Sequence, residues 1–440
     1  MNFYPKILII GQSFNKKSGG GVTISNLFKG WPKNRLAVAS NTNLYSDLDT
    51  SVCEMYYQLG YNGKLHPFPL SIILPKINVG LLPVRQADME QHDASATPVK
   101  SGKYKFLYSI LGSLMHFFGV YNLFYKLKVT PEFEQWVKEF DPDIIYTQLA
   151  SLELIRFVDE LHERTKKPVA IHIMDDWPLT INKPGIFYNY WQRKIDTEFR
   201  QLMDKSAILM SISNAMGDEY KKRYHKEFIP FHNPIDINFW KPAAAKDYSI
   251  KNNFTILYAG RIGFGIEQSL ADIAVAVTEM AATNQNIVFE IQTGDKEAVD
   301  KLVQFNDHVK WMKPTAYSAL PEKFANADLL LLPQDFDKKS VQFLRYSFPT
   351  KVSEYMISGT PVLVYGDEST GLTQYALKDK WAYVVTQNSK TALVKAIKDL
   401  YENADLRKSL AQTAQQIALE REDAGKVREE FRKSFIMNTN

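Results

Sequence analysis

Short unbroken apolar runs alternate with stretches of helical spacing along most of this chain. The first run, Ile7–Ile10, precedes a glycine-containing loop over 11–21, and Val22, Leu27 and Trp31 then predict a helix. Further runs at 144–146, Val169–Ile173 and 207–212 alternate with helical spacing over 152–162 and 215–224. After the Pro-containing stretch FHNPIDINFWKP the pattern restarts. Runs at 254–258, Ile287–Gln292, Val309–Met312, 328–332 and Val362–Tyr365 follow, each separated by helical or turn segments. Buried strands joined by helices predict parallel β-α-β units, which place ligand chemistry at the strand C-terminal ends. From 403 onward the chain is charged and helical in period, with Val427, Phe431 and Phe435 as its apolar stripe.

Size changes this picture from one sheet to two. A chain of 440 residues and 50.5 kDa exceeds one ordinary core. Hydrophobic residues at 45% and charged residues at 23% are those of a soluble globular protein. The net charge of +4 suits anionic small molecules or an anionic membrane face and is too weak to argue for nucleic acid. Cys53 is the only cysteine, which excludes an intrachain disulfide and a cysteine-based metal cluster and points to a reducing compartment. The N-terminal apolar run is too short for a signal h-region, so a cytoplasmic location is expected.

The most informative segment is SFPTKVSEYMISGTPVLVYG over 347–366. Pro349 and Thr350 precede a short helical pattern with Val352, Tyr355 and Met356 on its apolar face, and Gly359 ends it. A helix start here aims unpaired N–H groups and the positive dipole end at a ligand. Thr350 is expected to cap it, Lys351 adds a full charge, and Glu354 is placed to take hydroxyl groups. That is a socket for a phosphorylated ligand.

Glu354, Gly359 and Thr360-Pro361-Val362 match an E-x-x-x-x-G-x-P-V signature. The segment resembles the nucleotide-binding part of GT-B glycosyltransferases of the retaining family 4 type (glycosyl transferases group 1). His232-Asn233-Pro234-Ile235-Asp236 stands where that family has a P-N-G-x-D-like turn between domains. The resemblance covers nearly the whole chain, loosely over 45–130. It implies an α/β GT-B fold, with two Rossmann-like parallel-sheet domains facing a central cleft and a C-terminal helix packing back on the first. The expected domains are 1–236 for the acceptor, enlarged over 45–130; 237–415 for the nucleotide-sugar donor; and the returning helix over 416–440.

The resemblance also implies roles for particular residues. Gly260-Arg261 sits where the family places a phosphate-binding arginine, and a guanidinium can grip a diphosphate in bidentate fashion. The alternative for Arg261 is an ion pair with a structural carboxylate. The family's lysine about five residues later is replaced by Ile266-Glu267, so Lys351 is the candidate second cation; Tyr346 replaces the earlier of two glutamates. Gly20 and Gly21, in a Gly19-Gly20-Gly21 loop free to adopt positive φ, together with Gly260, Thr293, Thr350 and Glu354, form the expected donor-binding set, Glu354 on the ribose hydroxyls. Asp175 and Asp176 end the strand Val169–Ile173, where they orient the acceptor hydroxyl, act as a weak base, or cap the following turn. His172 in the same strand reads as a packed core residue. The resemblance implies that the loops at 293–295 and 311–317 border the nucleotide base, while Trp311 reads equally as a core residue and no base contact is assigned.

Asp47-x-Asp49 and Asp335-x-Asp337 have the spacing of a metal-binding dyad but read as surface turns, so no metal and no cofactor are expected. The activity implied is transfer of a hexose from a nucleotide-diphosphate sugar to a saccharide or lipid-linked acceptor in cell-surface glycan synthesis, with retention of configuration. A sugar-nucleotide epimerase and a catalytically silent partner of a polysaccharide assembly complex are the alternatives. The uncharged run 106–125 between lysine clusters has two readings: a helix over 104–126 lying in the inner membrane face, or a buried helix of the acceptor domain.

Overall fold

In the computed structural model the apolar runs form two separate sheets, one in each of two compact units. The first unit comprises residues 1–231 with 428–440 and the second 232–427. The residues described are 3–15, 18–41, 44, 48–60, 79–82, 114, 117–118, 127–180, 185–241, 246–283, 286–302 and 306–437.

The sheet of the first unit has eight strands: β1 Ile7–Ile10, β2 Leu36–Ser40, β3 Tyr56–Gln58, β4 Gly80–Leu81, β5 Ile144–Thr147, β6 Val169–Ile173, β7 Ile208–Ser211 and β8 Ile229–Pro230. Their order is β4-β3-β2-β1-β5-β6-β7-β8, and only the β3–β4 pair is antiparallel. Ile9 of β1 lies between Val38 of β2 and Tyr146 of β5. Every β1 side chain is fully buried, as a strand covered on both faces requires. Each such aliphatic side chain contributes about 1.5–3 kcal/mol on burial. Serine side chains start the helices: Ser18 on α1 Gly19–Leu27, Ser151 on α2 Leu152–Thr165 and Ser213 on α3 Asn214–Tyr224, each accepting an N–H bond three residues on.

The strands β2, β3, β4 and β8 carried no strong run. In β2, LAVAS, alanine and serine dilute the β-branched signal, and the neighbouring β1 supplies the pairing that the local sequence does not specify.

The second unit has six parallel strands, β9 Phe254–Ala259, β10 Ile287–Gln292, β11 Val309–Met312, β12 Leu329–Pro333, β13 Val362–Tyr365 and β14 Tyr383–Val385, in the order β11-β10-β9-β12-β13-β14. The order reverses at β9, so the loops after β9 and β12 diverge and leave a crevice at the strand C-terminal ends. The helices that follow β9 and β12 and precede β13 are α4 Glu267–Ala282, α5 Lys338–Leu344 and α6 Lys351–Ile357, and α7 Ala404–Arg421 packs against α6.

The single helix expected over 416–440 is two helices. The chain breaks at Glu422-Asp423, where the Ile235 N–H donates to the Glu422 carbonyl at 2.9 Å and the Ala424 N–H donates to the Ile235 carbonyl at 2.8 Å. The terminal helix, Ala424–Ile436, then buries Phe431 and Phe435 completely. Phe431 packs edge-on against Phe28 at 5.0 Å, and Phe435 against Trp31 at 6.0 Å. The Arg428 and Arg432 side chains donate to the carbonyls of Asn26 (2.7 Å) and Phe3 (2.6 Å).

Candidate active site

The crevice of the second unit is built on the turn that leaves β9. The Tyr258 hydroxyl donates to the Arg261 carbonyl at 2.6 Å and fixes this turn. Tyr355 of α6 grips the preceding peptide: its hydroxyl accepts from Ala259 N–H at 3.1 Å and faces the Ala259 carbonyl at 3.3 Å. Lys351, at the start of α6, folds back over the Tyr258 ring at 4.1 Å and donates to the Ala259 carbonyl at 3.0 Å. A Cβ on Gly260 would lie 2.5 Å from the Lys351 ammonium, and Gly260 holds φ at +159°. A side chain at 260 would displace the Lys351 ammonium from this turn. The structure thus brings Lys351 onto the Gly260-Arg261 turn, although the two are far apart in sequence.

Arg261 is exposed, and among the described residues no carboxylate pairs with it. Lys351 and Glu354 are half-buried neighbours on α6. Burial pushes the Lys351 ammonium down to about 7, with the Glu354 carboxylate opposing. Burial likewise pushes the Glu354 carboxyl up to about 8, against the pull of Lys351. Glu354 has no hydrogen-bond or ion-pair partner among the described residues. Two groups that would be charged in water are thus held where burial disfavours the charged form of each.

Thr350 departs from expectation. Its side chain makes no capping bond and its own backbone is helical (φ −56°, ψ −27°). Its carbonyl instead accepts from the Asn233 amide at 3.2 Å. Thr293 is buried and its polar groups are occupied within the loop: its carbonyl takes the Trp311 indole N–H at 2.9 Å and its hydroxyl the Asp295 N–H at 3.3 Å. Sequence reasoning missed His232 and Glu422, which pair behind α6. The Glu422 carboxylate also accepts from the Ser353 hydroxyl at 2.9 Å, and it raises the His232 pKa despite the opposing effect of burial. The His-Asn-Pro turn was the available signal, but its partner lies in a distant helix end.

In the first unit, the glycines after β1 do not form an open loop. Gly20 and Gly21 lie in the first turn of α1 and neither adopts positive φ. A Cβ on Gly21 would meet the Asn15 side-chain nitrogen at 2.0 Å, and one on Gly20 the Gln148 side-chain oxygen at 2.9 Å. Their smallness makes room for two amide side chains at the point where β1 separates β2 from β5.

Asp176 is also corrected. Its carboxylate takes both Arg223 nitrogens, at 2.8 and 3.1 Å, and the Tyr220 hydroxyl at 3.0 Å. A buried carboxylate with these partners anchors α3 and is not available as a base. Asp175 stays exposed at the strand end, and the protein crowding around it raises its pKa. His172 is fully buried, accepts from the Tyr146 hydroxyl at 2.7 Å through Nδ1 and donates to the Phe231 carbonyl at 2.9 Å through Nε2. Burial lowers its pKa to about 4, so it is a neutral core residue.

Asp335 and Asp337 are structural. Asp335 accepts from Ser269 N–H at 2.8 Å, and Asp337 caps α5. Asp49 accepts from Ser51, and Asp47 lies outside the described residues. Among the described residues no group of three or more His, Cys, Asp or Glu is placed to hold a metal ion. Of the run 104–126 only Leu114, Phe117 and Phe118 are described, and no described helix is long and apolar enough to cross a membrane.

Residues 243–417, which build this crevice, match the family model of glycosyl transferases group 1. No curated protein sequence matches the chain. Among solved structures, HepE of Anabaena in complex with UDP superposes with a TM-score of 0.61 at 14% identity, over 98% of this chain and 100% of that one. Sucrose-phosphate synthase of Thermosynechococcus elongatus gives 0.61 at 12% identity, over 98% of each chain. The lipopolysaccharide outer core galactosyltransferase WaaB gives 0.54 at 15% identity, over 98% of this chain and 99% of that one. At such identities the likeness is one of fold: two parallel-dominated sheets with helices, as in GT-B glycosyltransferases.

Proposed function

We propose that this chain transfers a hexose from a nucleoside-diphosphate sugar to a saccharide or lipid-linked saccharide acceptor. One observation carries the reading. Lys351 is folded onto the Gly260-Arg261 turn at the switch point of the sheet that lies within the matched residues 243–417, and no carboxylate among the described residues pairs with Arg261 of that turn. Arg261 and Lys351 hold the donor's diphosphate and neutralise the charge that grows on it as the glycosidic bond breaks, which is the largest catalytic term such a site can supply. Glu354 accepts from the ribose hydroxyls. The sugar passes through an oxocarbenium-like state, and the acceptor hydroxyl attacks on the face the diphosphate leaves, with retention. The reaction as proposed needs no metal and no cofactor.

HepE has been crystallised with UDP-glucose, which makes UDP-glucose the first donor to try. A thermal-shift screen of UDP-, GDP-, ADP- and CMP-sugars tests the reading. A true donor at about 100 times its dissociation constant stabilises the fold by about 2.7 kcal/mol. No stabilisation by any of them would remove the donor site. Release of nucleotide only when an acceptor is added distinguishes transfer from epimerisation and from silent binding.

A cytoplasmic setting at the inner membrane face fits a lipid-linked acceptor. Support comes from an apolar cluster in the first unit: Leu114, Phe117, Phe118, Ile186 and Phe187 are all exposed, and the Ile186 N–H donates to the Phe117 carbonyl at 3.0 Å. Co-flotation with anionic vesicles checks it, and a protein that stays unbound at low salt removes the membrane from the proposal.

A further inference from the structure

Helix α6 carries both Lys351 and Glu354, so the donor site depends on how this helix is held. It has 7 residues, too few for a helix to be stable alone, and no side chain caps its start. Its apolar face of Val352, Tyr355 and Met356 is fully buried. Apolar burial is non-directional and leaves the sliding and rotation of so short a helix weakly determined. Hydrogen bonds are directional and fix both. The Gln415 amide of α7 donates to the Ile357 carbonyl at 3.1 Å, and the Asn233 amide to the Thr350 carbonyl at 3.2 Å. Between these two ends, the Ser353 hydroxyl donates to the Glu422 carboxylate at 2.9 Å.

Glu422 is only 1% exposed, and its carboxylate also meets Nε2 of His232, whose ring packs against Phe348 at 5.1 Å. It follows directly on α7, and its carbonyl accepts the Ile235 N–H at 2.9 Å. One buried residue thus joins three segments: the turn at which the chain enters the second unit, the end of α7, and α6. A buried ion pair adds little net stability, because desolvation offsets the attraction; its best-attested use is to fix register. We propose that Glu422 is a positioning residue for the donor site. Through Ser353 it sets the register of α6, and so the place of Lys351 on the Ala259 carbonyl and of Glu354 one turn on. The inference rests on the donor reading above and extends it to a residue acting through α6. His232 compensates the Glu422 charge, so removing both together strands no buried ion.

The test is titration of the full chain with UDP-, GDP- and ADP-glucose between roughly pH 6 and pH 8, beside unliganded melting. For the tightest of the three, Ser353→Ala and the double variant His232→Phe/Glu422→Leu should each bind about 5- to 10-fold more weakly at the acid end. The double variant should melt close to the wild type, since an apolar pair replaces the ionic one. In both, Lys351 leaves the Ala259 carbonyl and the Tyr258 ring for water, its titration moves upward, and the pH profile of affinity flattens. Glu422→Gln keeps an acceptor for Ser353 and should retain both affinity and profile. Wild-type affinity and profile in Ser353→Ala overturn the role, whatever the melting temperature. So does weaker binding with the wild-type slope, which would report a general disturbance of the crevice. A Glu422→Gln protein as weak as the double variant overturns the bond to Ser353 as the link. A wild type that binds none of the three rejects the donor reading itself, a failure distinct from variants that bind like the wild type.

Discussion

The two units place ionisable groups at equivalent points, the C-terminal ends of central parallel strands, and treat them in opposite ways. In the first unit they satisfy one another. Asp176 is locked by Arg223 and Tyr220, and His172 is neutral between Tyr146 and Phe231. In the second unit Arg261 has no carboxylate among the described residues, Glu354 has no partner there, and Lys351 leans on a carbonyl and a ring. Buried charge that is paired serves the fold; charge held without its counterpart serves a ligand. By this contrast the second unit is the place to look for chemistry, and Asp176 and His172 of the first belong to its scaffold.

The strongest challenge to this contrast is Asp176→Ala. It leaves the Arg223 guanidinium, whose side chain is only 17% exposed, with Glu219 alone. A loss of about 3 kcal/mol in denaturant melts is expected. An Asp176→Asn protein that melts like the wild type yet has lost turnover would make Asp176 catalytic and dissolve the contrast.

Arg261→Ala should leave melting unchanged and lower the transfer rate by about 10²–10³-fold, measured as acceptor-dependent release of nucleotide. Full activity would take Arg261 out of the mechanism.

A smaller effect follows from the titration of the site. The Lys351 ammonium, lowered to about 7, is present below that pH and lost as pH rises through it. Glu354, raised to about 8, gains its negative charge over the next stretch and repels the diphosphate in the same direction. Affinity for UDP-glucose, whose phosphates do not titrate here, should fall about tenfold from roughly pH 6 to pH 8. In Lys351→Met the profile should be weaker and flatter; an unchanged slope would assign the titration to another group.

The smallest expected effect is that of Thr350→Ala, about 0.5 kcal/mol or less, because its hydroxyl caps nothing. A loss near 1 kcal/mol would restore it as a cap.

Much of this was legible in the amino-acid order. The buried runs at Ile7–Ile10, Val169–Ile173, Ile287–Gln292 and Val362–Tyr365 are strands because a continuous apolar stretch of that length suits only a sheet covered on both faces. The pairing of the domains with the GT-B pattern, the buried Phe431 and Phe435, and the E-x-x-x-x-G-x-P-V segment were equally local signals. Weak runs such as LAVAS were not, since a strand with little propensity of its own is made by its neighbour.

The site divides along the same line. Residue identity and spacing marked Arg261, Lys351 and Glu354 as candidates. Only the folded chain decided that Lys351 lies on the Gly260 turn, that Asp176 is consumed by Arg223, and that Thr350 caps nothing. Those outcomes depend on which side chains from remote segments arrive within hydrogen-bonding or packing distance. A sequence specifies its apolar periodicity residue by residue, but whether a charge is spent on a structural partner or left for a ligand is settled by three-dimensional neighbours alone.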